Sequence, residues 1–171
     1  MDSTWNPATG CYHKCPYCYA RGIANRFSGH GDKWSDDKIH VLDSKVYTEE
    51  SEKAEAYPYG FIPTLHRYRL NEYEKKKGRT IFVCSMADLF GSWVPDEWIE
   101  EVFAACEKAP QHTYLFLTKN PQRYIDLAQA GKLPAKDNMW YGTTATPPDE
   151  KFFWGGAWHT FVSIEPILRD Y

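Results

Sequence analysis

The strongest constraint on this chain is the alternation, in its second half, of short continuous apolar runs with segments of helical period. Ile81-Phe82-Val83-Cys84 and Tyr114-Leu115-Phe116-Leu117 are rich in β-formers, which predicts strands buried on both faces, as in a parallel sheet. Met139-Trp140-Tyr141 and Phe161-Val162-Ser163-Ile164 are shorter versions of the same pattern. Between the first two runs, Trp98, Ile99, Val102, Phe103 and Cys106 recur at three- and four-residue spacing. That spacing predicts a helix over 96–108, with Pro95, Asp96 and Glu97 suited to its first turn. Residues 121–130 read as a second helix: Asn120 can cap it, Pro121 fits its first position, and Gly131 can take the left-handed closing conformation. Strand and helix in alternation imply βαβ units and a parallel sheet.

The first half is less regular. A strand is expected at residues 4–7, a helix at 19–26, a second strand at 61–65 and a helix at 67–77. Residues 28–43 are rich in Gly, Ser, Asp and Lys and read as a long surface loop, followed by a polar helix at 46–56. The stretch 28–58 is therefore an insertion, with a lid over the site as one reading and a surface decoration as the other. The 171 residues contain no internal repeat and no linker, so residues 1–171 are read as a single domain. They are too few for a closed eight-unit barrel, which takes about 250 residues.

Composition narrows the function classes. With 43% hydrophobic and 25% charged residues the chain is not disordered, and no apolar stretch approaches the ~20 residues that cross a bilayer. No membrane association is expected. The first ten residues lack the layout of a signal peptide, so the expected location is cytoplasmic. A net charge of −3 gives no global attraction to nucleic acid. Of five cysteines, Cys84 and Cys106 sit alone in apolar runs and read as small buried hydrophobes, whereas Cys11, Cys15 and Cys18 crowd one loop and read as metal ligands. Zinc would need a fourth ligand, His13 or Cys84. A four-iron cluster held by three cysteines would leave one iron open to a small molecule.

Ligands of parallel α/β folds bind where strands finish. The residues just past the apolar runs are Ser85 and Asp88, then Thr118, Lys119 and Asn120, then Thr143 and Thr144, then Glu165 and Pro166. Charged residues that abut apolar strands need a partner or a ligand if buried, so Asp88, Lys119 and Glu165 stand out.

The cysteine loop, Cys11-Tyr-His-Lys-Cys15-Pro-Tyr17-Cys18, resembles the signature of the radical S-adenosylmethionine superfamily, in which an aromatic residue precedes the third cysteine. Thr4-Trp5-Asn6-Pro7, Gly10-Cys11, Cys18-Tyr19-Ala20, Ser85-Met86-Ala87-Asp88-Leu89-Phe90, Leu117-Thr118-Lys119 and Ser163-Ile164-Glu165-Pro166 are similar, in order, to a phage and prokaryotic family of radical-SAM-like proteins. The resemblance implies a 4Fe-4S cluster on Cys11, Cys15 and Cys18. It also implies S-adenosylmethionine on the open iron, with Tyr17 against its adenine, and reductive cleavage of that cofactor to act on an unidentified substrate. The superfamily's glycine-rich acidic stretch after strand two has no counterpart near residues 61–69. Ser85, Asp88, Lys119 and Glu165 are candidates for its role, and Thr143 is a further candidate cofactor contact. The expected fold is an α/β partial (β/α)6 TIM-type barrel with parallel strands and the cysteine loop after strand one, its six strands beginning near residues 4, 61, 81, 114, 139 and 161.

Two other functions remain open: a zinc-binding module, and an iron–sulfur electron-transfer protein without S-adenosylmethionine chemistry. The resemblance implies an electron donor such as flavodoxin or ferredoxin. The excess of Lys and Arg over residues 66–79 is a weak pointer to nucleic acid. The chain stops just past Glu165-Pro166, which reads as a barrel that is minimal or truncated at its last edge, with that edge strand open to self-association.

Overall fold

A computed structural model describes residues 1–28, 38–49, 52–146 and 151–166. Its frame is a five-stranded, wholly parallel sheet in the order β1 (Ser3–Trp5), β5 (Thr80–Val83), β6 (Thr113–Thr118), β7 (Met139–Thr144), β8 (His159–Ser163). Helix α2 (Asp96–Lys108) connects β5 to β6, and α3 (Pro121–Gln129) connects β6 to β7. Both helices lie at the expected positions, α2 from its apolar spacing and α3 from its end signals, although the Asn120 side chain does not cap α3 and its Nδ2 donates to Phe90 O instead. The five residues predicted for the inner face of α2 are its buried ones, and α3 closes with Gly131 at φ +69° while Lys132 N–H donates to Leu127 O, a glycine-terminated end that satisfies its last carbonyls.

The expected burial on both sheet faces is only half met. Ile81, Val83, Tyr114, Phe116, Thr118, Met139 and Tyr141 are buried under the helices, while the alternate residues Phe82, Leu115, Leu117, Trp140 and Phe161 are half-buried. The helix-covered side holds the main core. Phe90, Phe103, Phe116, Tyr124 and Tyr141 form one aromatic cluster with ring centroids 4.5 to 6.3 Å apart, each pair adding about 0.5–1.5 kcal/mol beyond simple burial.

The N-terminal half departs from expectation. The first strand breaks at Asn6-Pro7, and its continuation β2 (Ala8–Thr9) turns to a second sheet with β4 (Thr64–His66) and β3 (His40–Leu42). Strand β4 is the element expected at 61–65, but it runs antiparallel to β2 and parallel to β3, outside the five-stranded sheet. The cause is local: Pro7 interrupts β1, and its carbonyl accepts from His66 N–H, drawing β4 onto β2. Residues 67–77 form a 3₁₀ turn (Arg67–Arg69) and further turns instead of a helix. Tyr73 is their one buried side chain, and it packs edge-on against Trp5. Nor do the described residues of 46–56 form a helix, since Tyr47 pairs with Ala54 and Glu55 N–H donates to Val46 O. Strand β3 lies within the segment read as loop. Of the insertion at 28–58, residues 29–37 and 50–51 fall outside the described residues. Among the described residues no helix is long and apolar enough to cross a membrane.

The second sheet contains a testable group. His66 is fully buried, with Nε2 2.8 Å from the Thr9 hydroxyl and Nδ1 3.3 Å from the Tyr68 hydroxyl. Burial, reinforced by nearby Arg69, pushes its pKa down to about 3. The unfolded chain therefore binds a proton that the folded chain refuses between pH ~6.5 and ~3, and stability falls as the pH drops through that window, by at most about 1.4 kcal/mol per pH unit from this group. Urea denaturation of His66→Gln between pH 7 and 4 is expected to show a shallower loss of stability than the parent chain, by up to one proton's worth of slope.

Candidate metal centre

The cysteine loop leaves the sheet at a fixed place. Gly10 has φ +85°, and a Cβ there would run into the backbone of Phe61 and Ile62. Gly10 N–H donates to Met86 O at 2.8 Å and Cys11 N–H to Phe61 O at 3.2 Å, so the first thiol starts from an anchored position. The loop turns through Lys14 at φ +56°, and Cys18 N–H donates to Cys15 O. Cys18 then caps α1 (Tyr19–Phe27), its sulfur accepting from Arg21 N–H, while the Cys11 sulfur accepts from His13 N–H, both at 3.4 Å. Cys11 and Cys18 rest against Ala20, Ala24, Phe61 and Met86.

All five cysteines are free. Burial pushes the Cys11 thiol up to about 12, and Asp88, Cys15 and Cys18 add to the rise. Without a metal Cys11 therefore keeps its proton at neutral pH. A thiophilic cation would displace it. Among the described residues no three His, Cys, Asp or Glu side chains converge as a ready-made metal site. The loop supplies soft donors in one segment, two of them already accepting backbone N–H bonds, and this donor chemistry fits an iron–sulfur or zinc centre.

Asp88 ties this loop to the sheet. It is 6% exposed. Oδ1 accepts from Phe90 N–H at 3.0 Å and the Thr118 hydroxyl at 2.7 Å; Oδ2 accepts from Lys119 N–H at 2.9 Å and lies 2.7 Å from His13 Nε2. Its oxygens are filled by protein donors from the ends of β5 and β6 and from the cysteine loop itself. The His13 ring in turn meets Trp93 edge-on at 4.9 Å.

Around this knot the structure gathers most of the other candidates. Lys119 Nζ lies 5.6 Å from the centroid of the Tyr17 ring. Ser85 donates from its hydroxyl to Asn6 Oδ1, which also accepts from Met86 N–H, and Ser85 O accepts from the Tyr19 hydroxyl at 2.8 Å. Burial raises the Tyr19 pKa, with Cys18 and Glu165 contributing, which puts Glu165 near the start of α1. Glu165 itself is exposed and accepts from the Ser163 hydroxyl at 2.7 Å. Thr143 is not part of this group: it sits on the helix-covered face, buried, with its oxygen accepting from Phe153 N–H. Cys84 is sealed in the core, where burial pushes its thiol up to about 12.

Sequence reading missed the roles of Asn6 and His13. A polar residue beside the strand-breaking Pro7 was the available signal for Asn6; nothing local marks His13 as a partner of Asp88. The basic stretch 66–79 leads into the start of β5, at the end of the sheet away from the cysteine loop. Its Arg67 is engaged by Glu101 and Asp43, and its Lys76 by Glu72.

The family model that matches this chain is DUF5131, described as a protein of unknown function, and it covers residues 1–171. The chain belongs to the DUF5131 family. No curated protein and no solved structure matches it.

In this DUF5131 chain, Asp88→Asn replaces one acceptor oxygen with an amide that opposes donors already in place. The expected loss is about 2–3 kcal/mol in urea denaturation. Thiol labelling of Cys11, Cys15 and Cys18 is expected to accelerate while Cys84 and Cys106 stay slow.

Proposed function

We propose that this chain is a radical S-adenosylmethionine-type enzyme. In this reading Cys11, Cys15 and Cys18 hold a 4Fe-4S cluster, and S-adenosylmethionine binds at the iron they leave open. The five-stranded parallel sheet is then the arc of a partial (β/α)6 barrel. The observation that carries the reading is the set of three thiols in one loop just past β2, tied through His13 and Asp88 to the ends of the parallel strands β5 and β6. That is where a parallel fold gathers its ligands. Once bound, the pair would supply one-electron cleavage of the sulfonium and hydrogen abstraction from a substrate.

The chain's own residues have defined work in this scheme. Tyr17 offers a ring face beside the loop, and Lys119, over that ring, offers a cation to a carboxylate. Asp88 and His13 hold the loop at a fixed distance from β6. Ser85 and Glu165 flank the start of α1. An electron donor of the flavodoxin or ferredoxin kind would be required.

One observation favours a second reading. His13 Nε2 against Asp88 is the carboxylate–histidine arrangement that orients metal-binding imidazoles, and it leaves Nδ1 for a metal. A zinc site of three cysteines and His13 would follow.

Anaerobic reconstitution with ferrous iron and sulfide separates the two. The expected outcome is about four irons per chain, a reducible cluster by electron paramagnetic resonance, and release of 5′-deoxyadenosine from S-adenosylmethionine, all lost in Cys15→Ala. Purified protein that carries one zinc, takes up no iron and leaves S-adenosylmethionine intact would replace this reading with the zinc module. A cluster that forms but cleaves nothing would leave electron transfer.

A further inference from the structure

Helix α1 is amphipathic in an inverted sense. The residues it buries are small, Ala20 and Ala24, while Tyr19, Ile23 and Phe27 are 64%, 38% and 59% exposed. These three stand four residues apart, so they form one row along the helix. Arg26 is exposed beside Phe27, and Lys14 and Tyr17 are exposed on the loop that leads into the helix. From Ser3 to Ser28 the chain has no Asp or Glu at all. Neither Lys14 nor Arg26 has an ion-pair partner among the described residues.

Next to this row is a cleft of about 540 Å³, with Ile23 and Phe27 on one side and Ala54, Ala56 and Tyr57 on the other. Its volume falls in the range of small-ligand sites, roughly 300–1,000 Å³. Lys53 and Glu55 also line it.

We propose that α1 and the cysteine loop form a binding surface for single-stranded nucleic acid. The exposed rings of Tyr19 and Phe27, at the two ends of the row, and of Tyr17 on the loop provide stacking faces for unpaired bases, and Lys14 and Arg26, which no carboxylate engages among the described residues, follow the phosphates. A duplex hides its base faces and would use only the cations. The stretch 66–79, basic in sequence, is the poorer candidate because carboxylates already engage its Arg67 and Lys76. Because Cys18 caps α1, a strand held on this surface passes beside the cysteine loop.

Fluorescence anisotropy with a labelled oligo-dT of about 12 nucleotides tests this on the full chain as purified. No cluster is required, so failure here and failure of the radical reading are separate results. Binding is expected to weaken as salt rises. Phe27→Ala is expected to weaken it about 5- to 100-fold, with Phe27→Trp close to the parent. Arg26→Glu is expected to weaken it at least about tenfold and to flatten the salt dependence by one to two ions. Lys77→Glu, in the basic stretch, is expected to change it less than about twofold. Each variant is melted alongside the parent, and Arg26→Glu carries the test if a Phe27 variant does not fold. Absence of salt-dependent binding overturns the proposal, as does binding indifferent to both Phe27→Ala and Arg26→Glu. Equal affinity for polyglutamate, unaffected by Phe27→Ala, also overturns it and assigns the surface to an acidic protein.

Discussion

A carboxylate buried in the loop after β5 must be met by donors from several segments at once, and in this chain those donors fix the site. Asp88 takes its bonds from Phe90, from Thr118 and Lys119 at the end of β6, and from His13 in the cysteine loop. Hydrogen bonds to a charged group are worth about 1.5–3 kcal/mol each, and removing any one leaves charge desolvated without compensation. The geometry therefore holds as a unit. It exists only because β5 and β6 pair in their observed register, which brings two segments about thirty positions apart to the same sheet end. A one-residue slip would turn Thr118 to the other face and empty the carboxylate of its donors. The position of the thiols is thus a consequence of strand pairing, transmitted through one side chain.

The cysteine loop adds constraints of its own. Gly10 permits the close pass against Phe61 and Ile62 that a side chain would block, and Cys18 serves as the helix cap in place of the usual Ser or Asp. A sulfur that caps a helix accepts an N–H hydrogen bond through one lone pair and keeps another on its far side. Cys11 has the same arrangement with His13 N–H. Two of the three thiols are therefore oriented by backbone donors.

Local signals made the second half of the chain legible. The α2 spacing named all five of its buried residues, and Gly131 announced the end of α3, because both features depend on residues within a turn or two of each other. The apolar runs gave the strands for the same reason. What could not be read depends on distant partners. Strand β4 was visible, but its place was set by Pro7, nearly sixty residues earlier. The absent helix at 67–77 was decided by Tyr73, which is drawn into the core against Trp5. In the site, the cysteines were legible from spacing and Asp88 from its charge next to an apolar run. The partnership with His13, 75 residues away, was not.

Alternation along the strands explains which strand-end residues are structural and which face outward. On β6, Tyr114, Phe116 and Thr118 point to the helices, and Thr118 is consumed by Asp88. Lys119, one residue later, continues the other series, Leu115 and Leu117, and emerges at the end of the half-buried face beside Tyr17. On β7 the same parity sends Thr143 inward to Phe153 and leaves Thr144 on the side of Trp140. Polar character at a strand end is therefore a poor guide to function by itself. Its parity relative to the buried apolar residues of the same strand decides, and by that criterion Lys119 and Thr144 lie on the half-buried side while Thr118 and Thr143 hold the frame in place.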